Sequence, residues 1–505
     1  MKKLFLILSI ALLLGCSNSP KEKELTIESS NEELVELFNW AKGKALSFVQ
    51  TDKFGPIDVS ERQEVGDSAQ YIPSYWAGYP LRTAFYSRDF CHQITGAHLI
   101  GLNKENISML KAFAASANKE RKWYPLWAIN FDGSPYKLDY RNDNDFVREV
   151  PATFELVEKA FHLYQWTDNK ELITDNTLWN YYTKAITEFI KLHDTIIPNG
   201  IAEGSGTGSI FKGTATFNEQ RDHPFAEAGD GIATQYKAFI AYSKLCRAKG
   251  DEIKAVEFQK KAEDLKHFFN TDWGIKNTTT YNRGYTVDGQ SYDGWGKENS
   301  WFIPMKGLLD TKSTRTKEYL NFIDERLESK DDIPDNIEAI SYIPEVFFLH
   351  HRNEIAWKWM KHIISKIDQT HAQSKLTGNN GNYPEVSYVL ISNIVENLMG
   401  IIPNAPENKI TTLSHLPNEI TSLKVNNIPF GENFVSLEHE GLNSTTLTNH
   451  RNTTLTWEAR FYGTHDSFIV NNEKQNCKQD EDNGKVYSYI NVQLKAGDQL
   501  TIKIE

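Results

Sequence analysis

Between residues 30 and 402, apolar residues recur at spacings of three and four, in blocks separated by Gly, Pro, Asn and Asp. That period puts one face of each block against a core and predicts α-helices. The blocks run over 31–50, 89–101, 104–117, 150–166, 176–194, 231–249, 251–270, 298–308, 313–327, 337–349, 353–366 and 387–402. Pro151 falls in a first helical turn, and Lys249-Gly250-Asp251 reads as a glycine stop followed by an N-cap. Twelve helices pair into six hairpins. No repeat of about 34 or 40 residues accompanies them, which sets aside tetratricopeptide and HEAT solenoids. Long loops rich in glycine and aromatics separate alternate helices, a layout that suits an (α/α)6 toroid, where loops at one end of the inner ring build a site.

Near residue 405 the period changes to two. ITTLSHLP, ITSLKVNNIPFGENFVSLEHEG, STTLTNHRNTTLTWEARFYG and YSYINVQLKAGDQLTIKIE alternate apolar and polar residues between turns. These are antiparallel strands of a small sandwich. The expected fold class is mainly α: a toroid over 30–405 that carries the chemistry, then a C-terminal β-sandwich-like domain over 406–505 that packs against it.

The N-terminus stands apart from both patterns. MKKLFLILSIALLLGCSNSPKEKE has two lysines and a short apolar run ending in Leu14-Gly15-Cys16. The run is too short for a spanning helix and reads as a secretory signal. A small residue before the Cys resembles a bacterial lipoprotein signal, which implies residues 1–16 as signal, lipidation at Cys16 and a polar tether over 17–29. Ser17 after the cysteine favours the outer membrane. The implied location is the cell envelope, with the membrane touched through the lipid alone. The other cysteines, Cys91, Cys246 and Cys477, are far apart and form no CxxC pair, which excludes a disulfide framework and reads as small buried hydrophobes.

Composition narrows the partners. The formal net charge is −12 and no basic stripe occurs, which argues against nucleic acid. The chain carries 12 Trp, 22 Tyr and 27 Phe, side chains that fill cores and also stack on sugar rings. No metal site and no cofactor is expected. DYRNDND, residues 139–145, lacks the glycine and distal glutamate of a calcium loop.

The candidate chemistry sits in five loop segments. GYPLRTAFYSRDF sets Tyr86, Arg88 and Asp89 before a helix, and RKWYPLWAINFDGSPYKLDY carries Trp123, Trp127 and Asp132. NGIAEGSGTGSIFKGTATFNEQRDHPFAEAGDG holds Glu203, Asp222, His223, Glu227 and Asp230, YDGWGKENSWF holds Trp295 and Glu298, and TGNNGNYPEVSY holds Glu385. Carboxylates and aromatics on facing loops fit glycoside hydrolysis, which needs one protonated carboxyl at the glycosidic oxygen and a second carboxylate as nucleophile or as base for water. An adjacent Arg–Asp pair both donates to and accepts from vicinal hydroxyls.

With those motifs in place, the chain resembles the six-hairpin glycosidases, the superfamily of glucoamylases, trehalases and α-L-rhamnosidases. SRDF followed by an Ala- and Gly-containing helix is similar to the aromatic–Arg–Asp element that holds sugar hydroxyls in the innermost subsite of family 15 glucoamylases. The resemblance implies that Arg88 and Asp89 bind substrate, with Tyr86, Trp123, Trp127, Asp132, His223, Trp295 and Glu298 as further contacts. NGIAEG stands where those enzymes carry the general acid, which implies Glu203, and NYPEVS stands where they carry the base, which implies Glu385. The contexts depart from the family: Glu203 is followed by Gly204-Ser205-Gly206, and Val386 follows Glu385. Asp222, Glu227 and Asp230 therefore remain open as the acid, Asp230 also being a helix N-cap candidate. The implied activity is an inverting, exo-acting glycoside hydrolase on an oligo- or polysaccharide. A polysaccharide lyase acting on a uronic-acid glycan, with Tyr86, Arg88, His92 and His223 as its groups, and a noncatalytic glycan-binding lipoprotein are the alternatives.

Overall fold

The computed structural model describes residues 24–60, 62, 64–218 and 224–505. Cys16, Asp222 and His223 lie outside the described residues, as does most of the expected tether. Each predicted helical block contains a helix: α1 (Glu32–Ser47), α2 (Ser87–Leu99), α3 (Asn103–Ser116), α4 (Val150–Thr167), α5 (Asn176–Ala185), α6 (Gly229–Ala248), α7 (Glu252–Phe268), α8 (Glu298–Met305), α9 (Thr314–Glu328), α10 (Ile337–Ser341), α11 (Ile343–Leu349), α12 (Asn353–Lys366) and α13 (Pro384–Ser392). The block at 337–349 is two helices, α10 and α11, broken at Tyr342, with Pro344 in the first turn of α11.

Packing closes these helices into a ring. α2 lies against α4, α4 against α6, α6 against α8, α8 against α11, α10 against α13, and α13 against α2. The helices between them in sequence pack outside: α7 on α6, α12 on α11, α1 on α13. Two ring helices have almost no solvent face. All nine residues of α13 are buried, and all of α2 except Arg88. At Gly96, on α2, a Cβ would collide with the main-chain oxygen of Tyr388 on α13. Only glycine lets these two backbones come so close.

Polar groups inside such a ring need partners. Lys306 Nζ, at the end of α8, bonds Glu155 and Glu158 of α4 at 2.7 Å each, and His92 Nε2 of α2 lies 3.4 Å from Glu155. Burial alone would raise the Glu155 carboxyl. The charge of Lys306, with His92 beside the carboxyl, overrides it and holds the group well below the usual carboxylate range.

The C-terminal region forms two sheets. One has seven strands in the order Thr26–Ser29, Ser422–Phe430, Asn433–Glu440, Ser444–Asn449, Gln499–Ile504, Ser467–Val470, Glu473–Asn476. The other has five, in the order Ile401–Asn404, Lys409–Leu413, Leu455–Tyr462, Lys485–Leu494, Lys478–Asp482. Thr26–Ser29 pairs antiparallel with the 422–430 strand, so the last residues of the expected tether are an edge strand with Leu25 and Ile27 buried. The β layer covers the ring near the C-terminal end of α4, where Gly431 N–H donates to the Trp166 carbonyl at 2.8 Å and the Phe430 and Trp166 rings meet edge to face.

Lys306→Met would strand two buried carboxylates. It should lower stability by about 3–5 kcal/mol at neutral pH. A depressed Glu155 contributes stability above the ordinary carboxylate range and loses it as pH falls through its lowered value. The deficit of the variant should therefore hold from neutral pH down to the ordinary carboxylate range and shrink only below it, checked by denaturant unfolding between about pH 5 and pH 2.

Candidate functional site

The ring helices share one property at their N-termini: each has an acid at or beside its first turn. These are Asp89 on α2, Glu149 before α4, Asp230 on α6, Glu298 on α8, Glu338 on α10 and Glu385 on α13. The exposed N–H groups and dipole of a helix N-terminus favour negative charge there. Between these ends lies a cavity of about 440 Å³, within the range of small-ligand sites, about 300–1,000 Å³. Asp89, Glu298 and Glu338 line it with Asp335; Arg82, Arg88 and Lys297 supply positive charge; Tyr79, Tyr86, Trp127, Phe217 and Tyr383 form aromatic wall.

The wall is fixed by hydrogen bonds. The Ala84–Tyr86 strand pairs antiparallel with Ala128–Asn130, which sets Trp127 beside Tyr86, edge-on at 5.0 Å. Trp127 Nε1 donates to Glu149 Oε2 at 2.8 Å. The Tyr86 hydroxyl accepts from Arg82 at 2.7 Å and donates to Asp139 at 3.2 Å. Arg88 Nη1 donates to the Phe217 carbonyl at 3.0 Å, with its guanidinium 5.4 Å from the Phe217 ring centroid. Asp89 accepts a hydrogen bond from the Tyr383 hydroxyl. Burial raises Asp89 above its ordinary value against the pull of Arg88.

Of the residues singled out from sequence, Tyr86, Arg88, Asp89, Trp127 and Glu298 line this cavity. The structure places the other described ones outside this lining. Glu203 is a clasp for a loop: its carboxylate accepts the backbone N–H groups of Thr195 at 2.7 Å, Ile196 at 2.8 Å, and Ile197. It is absent from the cavity lining. Asp230 is fully buried beneath the wall, where it accepts Phe217 N–H at 2.6 Å and Thr216 Oγ at 2.9 Å. Burial pushes it up to about 7. It holds the loop that presents Phe217 and Asn218. Glu385 does not line the cavity either. It is wholly buried, accepts from Ser341 Oγ at 2.8 Å, and lies against the Tyr342 hydroxyl. Burial first, then the neighbouring Asp89 charge, raise Glu385 well above the carboxylate range. Trp123 sits under Lys184 of α5, 5.3 Å from its ring. Asp132 ties its own turn by accepting Ser134 N–H at 2.9 Å and Ser134 Oγ at 2.6 Å. Trp295 packs on Trp301 and donates to the Asp332 carbonyl at 2.9 Å.

Several groups at the cavity escaped the sequence reading, Tyr79, Arg82, Phe217, Lys297, Asp335 and Glu338 among them, as did His371 behind Glu338. Glu338 lies inside a predicted helical block rather than in a loop, and His371 lies in the loop before α13. The signal for Glu338 is its place: like Glu298 and Glu385, it falls in the first turn of a ring helix.

No family model matches the chain, and no curated protein matches it by sequence. Its fold is similar to solved structures. An α-L-rhamnosidase from Dictyoglumus thermophilum superposes with a TM-score of 0.62 at 15% identity, over 96% of this chain and 50% of that one. The α-L-rhamnosidase of Streptomyces avermitilis, solved with L-rhamnose, gives 0.58 at 11% identity, over 95% and 42%. A putative kojibiose phosphorylase from human microbiome gives 0.51 at 8% identity, over 93% and 63%. The chain thus spans half or less of the two rhamnosidases' length. The likeness is one of fold, and its coverage includes both the helical ring and the β sheets.

Glu203→Gln would replace one acceptor oxygen of the clasp by a donor facing backbone amides. It should cost about 1–3 kcal/mol of stability, read as a lower denaturant midpoint.

Proposed function

We propose that the chain is a glycoside hydrolase whose reaction takes place in the cavity at the N-terminal end of the ring, and that the ring is an (α/α)6 toroid. The observation that carries this reading is the convergence of Asp89, Glu298 and Glu338 on one aromatic-walled cavity. The fold likeness to α-L-rhamnosidases supports it and makes terminal α-L-rhamnosides the first substrates to try.

The residues divide the work by position. α8 and α2 stand opposite each other in the ring order, so Glu298 and Asp89 approach a bound sugar from opposite sides. Asp89 with Arg88 clamps vicinal hydroxyls, accepting through one and donating through the other. Glu298 is assigned as the general acid that protonates the glycosidic oxygen. Glu338 is assigned as the base that takes a proton from the attacking water. It already accepts from His371 at 2.9 Å and from the Tyr79 hydroxyl at 3.4 Å, as a carboxylate does. Inversion requires these two carboxyls about 6.5–9.5 Å apart, with room for the water. Tyr86, Trp127 and Phe217 stack on the ring faces. A site walled by the starts of α2, α8, α10 and α13 suits removal of a terminal sugar. Delivery to the cell envelope through a lipid at Cys16 completes the proposal.

Glu298→Gln should lower kcat by about 10²–10⁴-fold on glycosides with poor leaving groups and much less on activated aryl glycosides, while Glu338→Gln should lose a similar factor on both. Product NMR during turnover reads the anomer first formed. Equal losses for Glu298→Gln on both substrate types would remove its acid role. An ultraviolet-absorbing unsaturated product would favour a lyase, and sugar binding without turnover would favour a glycan-binding protein.

A further inference from the structure

His371 does not line the cavity, yet it is bonded to a group that does. It is buried in the loop between α12 and α13, where its backbone N–H donates to the Gly378 carbonyl at 2.9 Å. The ring is held on two sides. Tyr383 stacks parallel to it, with centroids 5.5 Å apart and planes 3° from parallel. Tyr79 meets it edge-on at 6.0 Å, and Tyr79 and Tyr383 also meet edge-on at 5.2 Å. The imidazole is therefore fixed in a slot of two tyrosines, both of which line the cavity.

Its two nitrogens have different partners. The backbone N–H of Gln373 donates to Nδ1 at 2.8 Å, so Nδ1 is an acceptor and carries no proton. The proton of the neutral ring is then on Nε2, which lies 2.9 Å from Glu338 Oε2. Nε2–H donates to that oxygen. Glu338 Oε1 has only the longer 3.4 Å bond from Tyr79 and is the freer oxygen toward the cavity. The same Tyr383 that stacks on His371 donates through its hydroxyl to Asp89. One aromatic cluster thus sets the orientation of two cavity carboxylates.

We propose that His371 is a positioning residue for the reaction: as the Nε2–H tautomer it pins Glu338 by one oxygen and leaves the other aimed at the substrate water. This rests on the assignment of Glu338 as the base. A carboxylate pinned in advance needs no reorientation when the water arrives, and a misplacement of about 1 Å in such a group is worth about 10²-fold in rate.

Two variants separate positioning from packing. His371→Phe keeps a ring between Tyr79 and Tyr383 but has no donor, and His371→Gln offers an amide donor without the ring. With folding confirmed by thermal unfolding, His371→Phe should lower kcat about 10–100-fold at nearly unchanged KM, and His371→Gln should recover a large part of it. In the unsubstituted protein, ¹⁵N NMR of the imidazole should show the proton on Nε2. A His371→Phe enzyme within twofold of the parent, equal losses in both variants, or a proton on Nδ1 would each overturn the proposal. A parent protein that turns over no glycoside would instead overturn the assigned function, and the kinetic part of this inference would fall with it.

Discussion

Ring helices whose N-termini face a common space impose the condition on which the rest of this molecule depends. Each N-terminus offers unpaired N–H groups and the positive end of a dipole, and each carries an acid at or beside its first turn. Carboxylates that would repel one another in an ordinary core are held together by this arrangement. They then differ by depth. Asp89, Glu298 and Glu338 reach the cavity, whereas Asp230 and Glu385 lie below it, raised by burial and used to hold its walls and floor.

The ring must close tightly for those ends to converge. Closure at the α2–α13 seam depends on Gly96, and across the interior on Lys306 bridging two glutamates of α4. The β layer closes the fold from the side of the C-terminal end of α4, and the strand Thr26–Ser29 is joined to it by pairing with Ser422–Phe430. The cavity lies at the opposite helix ends, and among the described residues the two C-terminal sheets contribute none of its lining.

Period-3.6 and period-2 patterning made both the helical segment and the β segment legible, because each element buries one kind of surface. The order of ring and outer helices was less visible, since ring helices such as α2 are buried on all sides while keeping polar residues such as His92 and Gln93. Aromatic and acidic loop residues were a mixed signal. Trp127 and Trp123 share one loop, yet one faces the cavity and the other packs under a lysine. Glu203 looked like an acid in a glycine-rich loop, and the same openness let it gather backbone amides. Glu338 was passed over because it lies inside a helical block, although a helix start is where this fold presents its carboxylates.

By itself the sequence determined the helical and strand segments, the Arg88–Asp89 pair at the head of a helix, and the concentration of acids and aromatics between helices. These follow from local periodicity, capping and composition, which act over a few residues. Only the tertiary structure decided which carboxylates meet, because that depends on residues far apart in the chain: Asp89 with Tyr383, and Glu338 with His371. It also decided that an acid in a loop becomes a clasp where backbone N–H groups surround it, and a cavity group where they leave it open to the space between the helix ends.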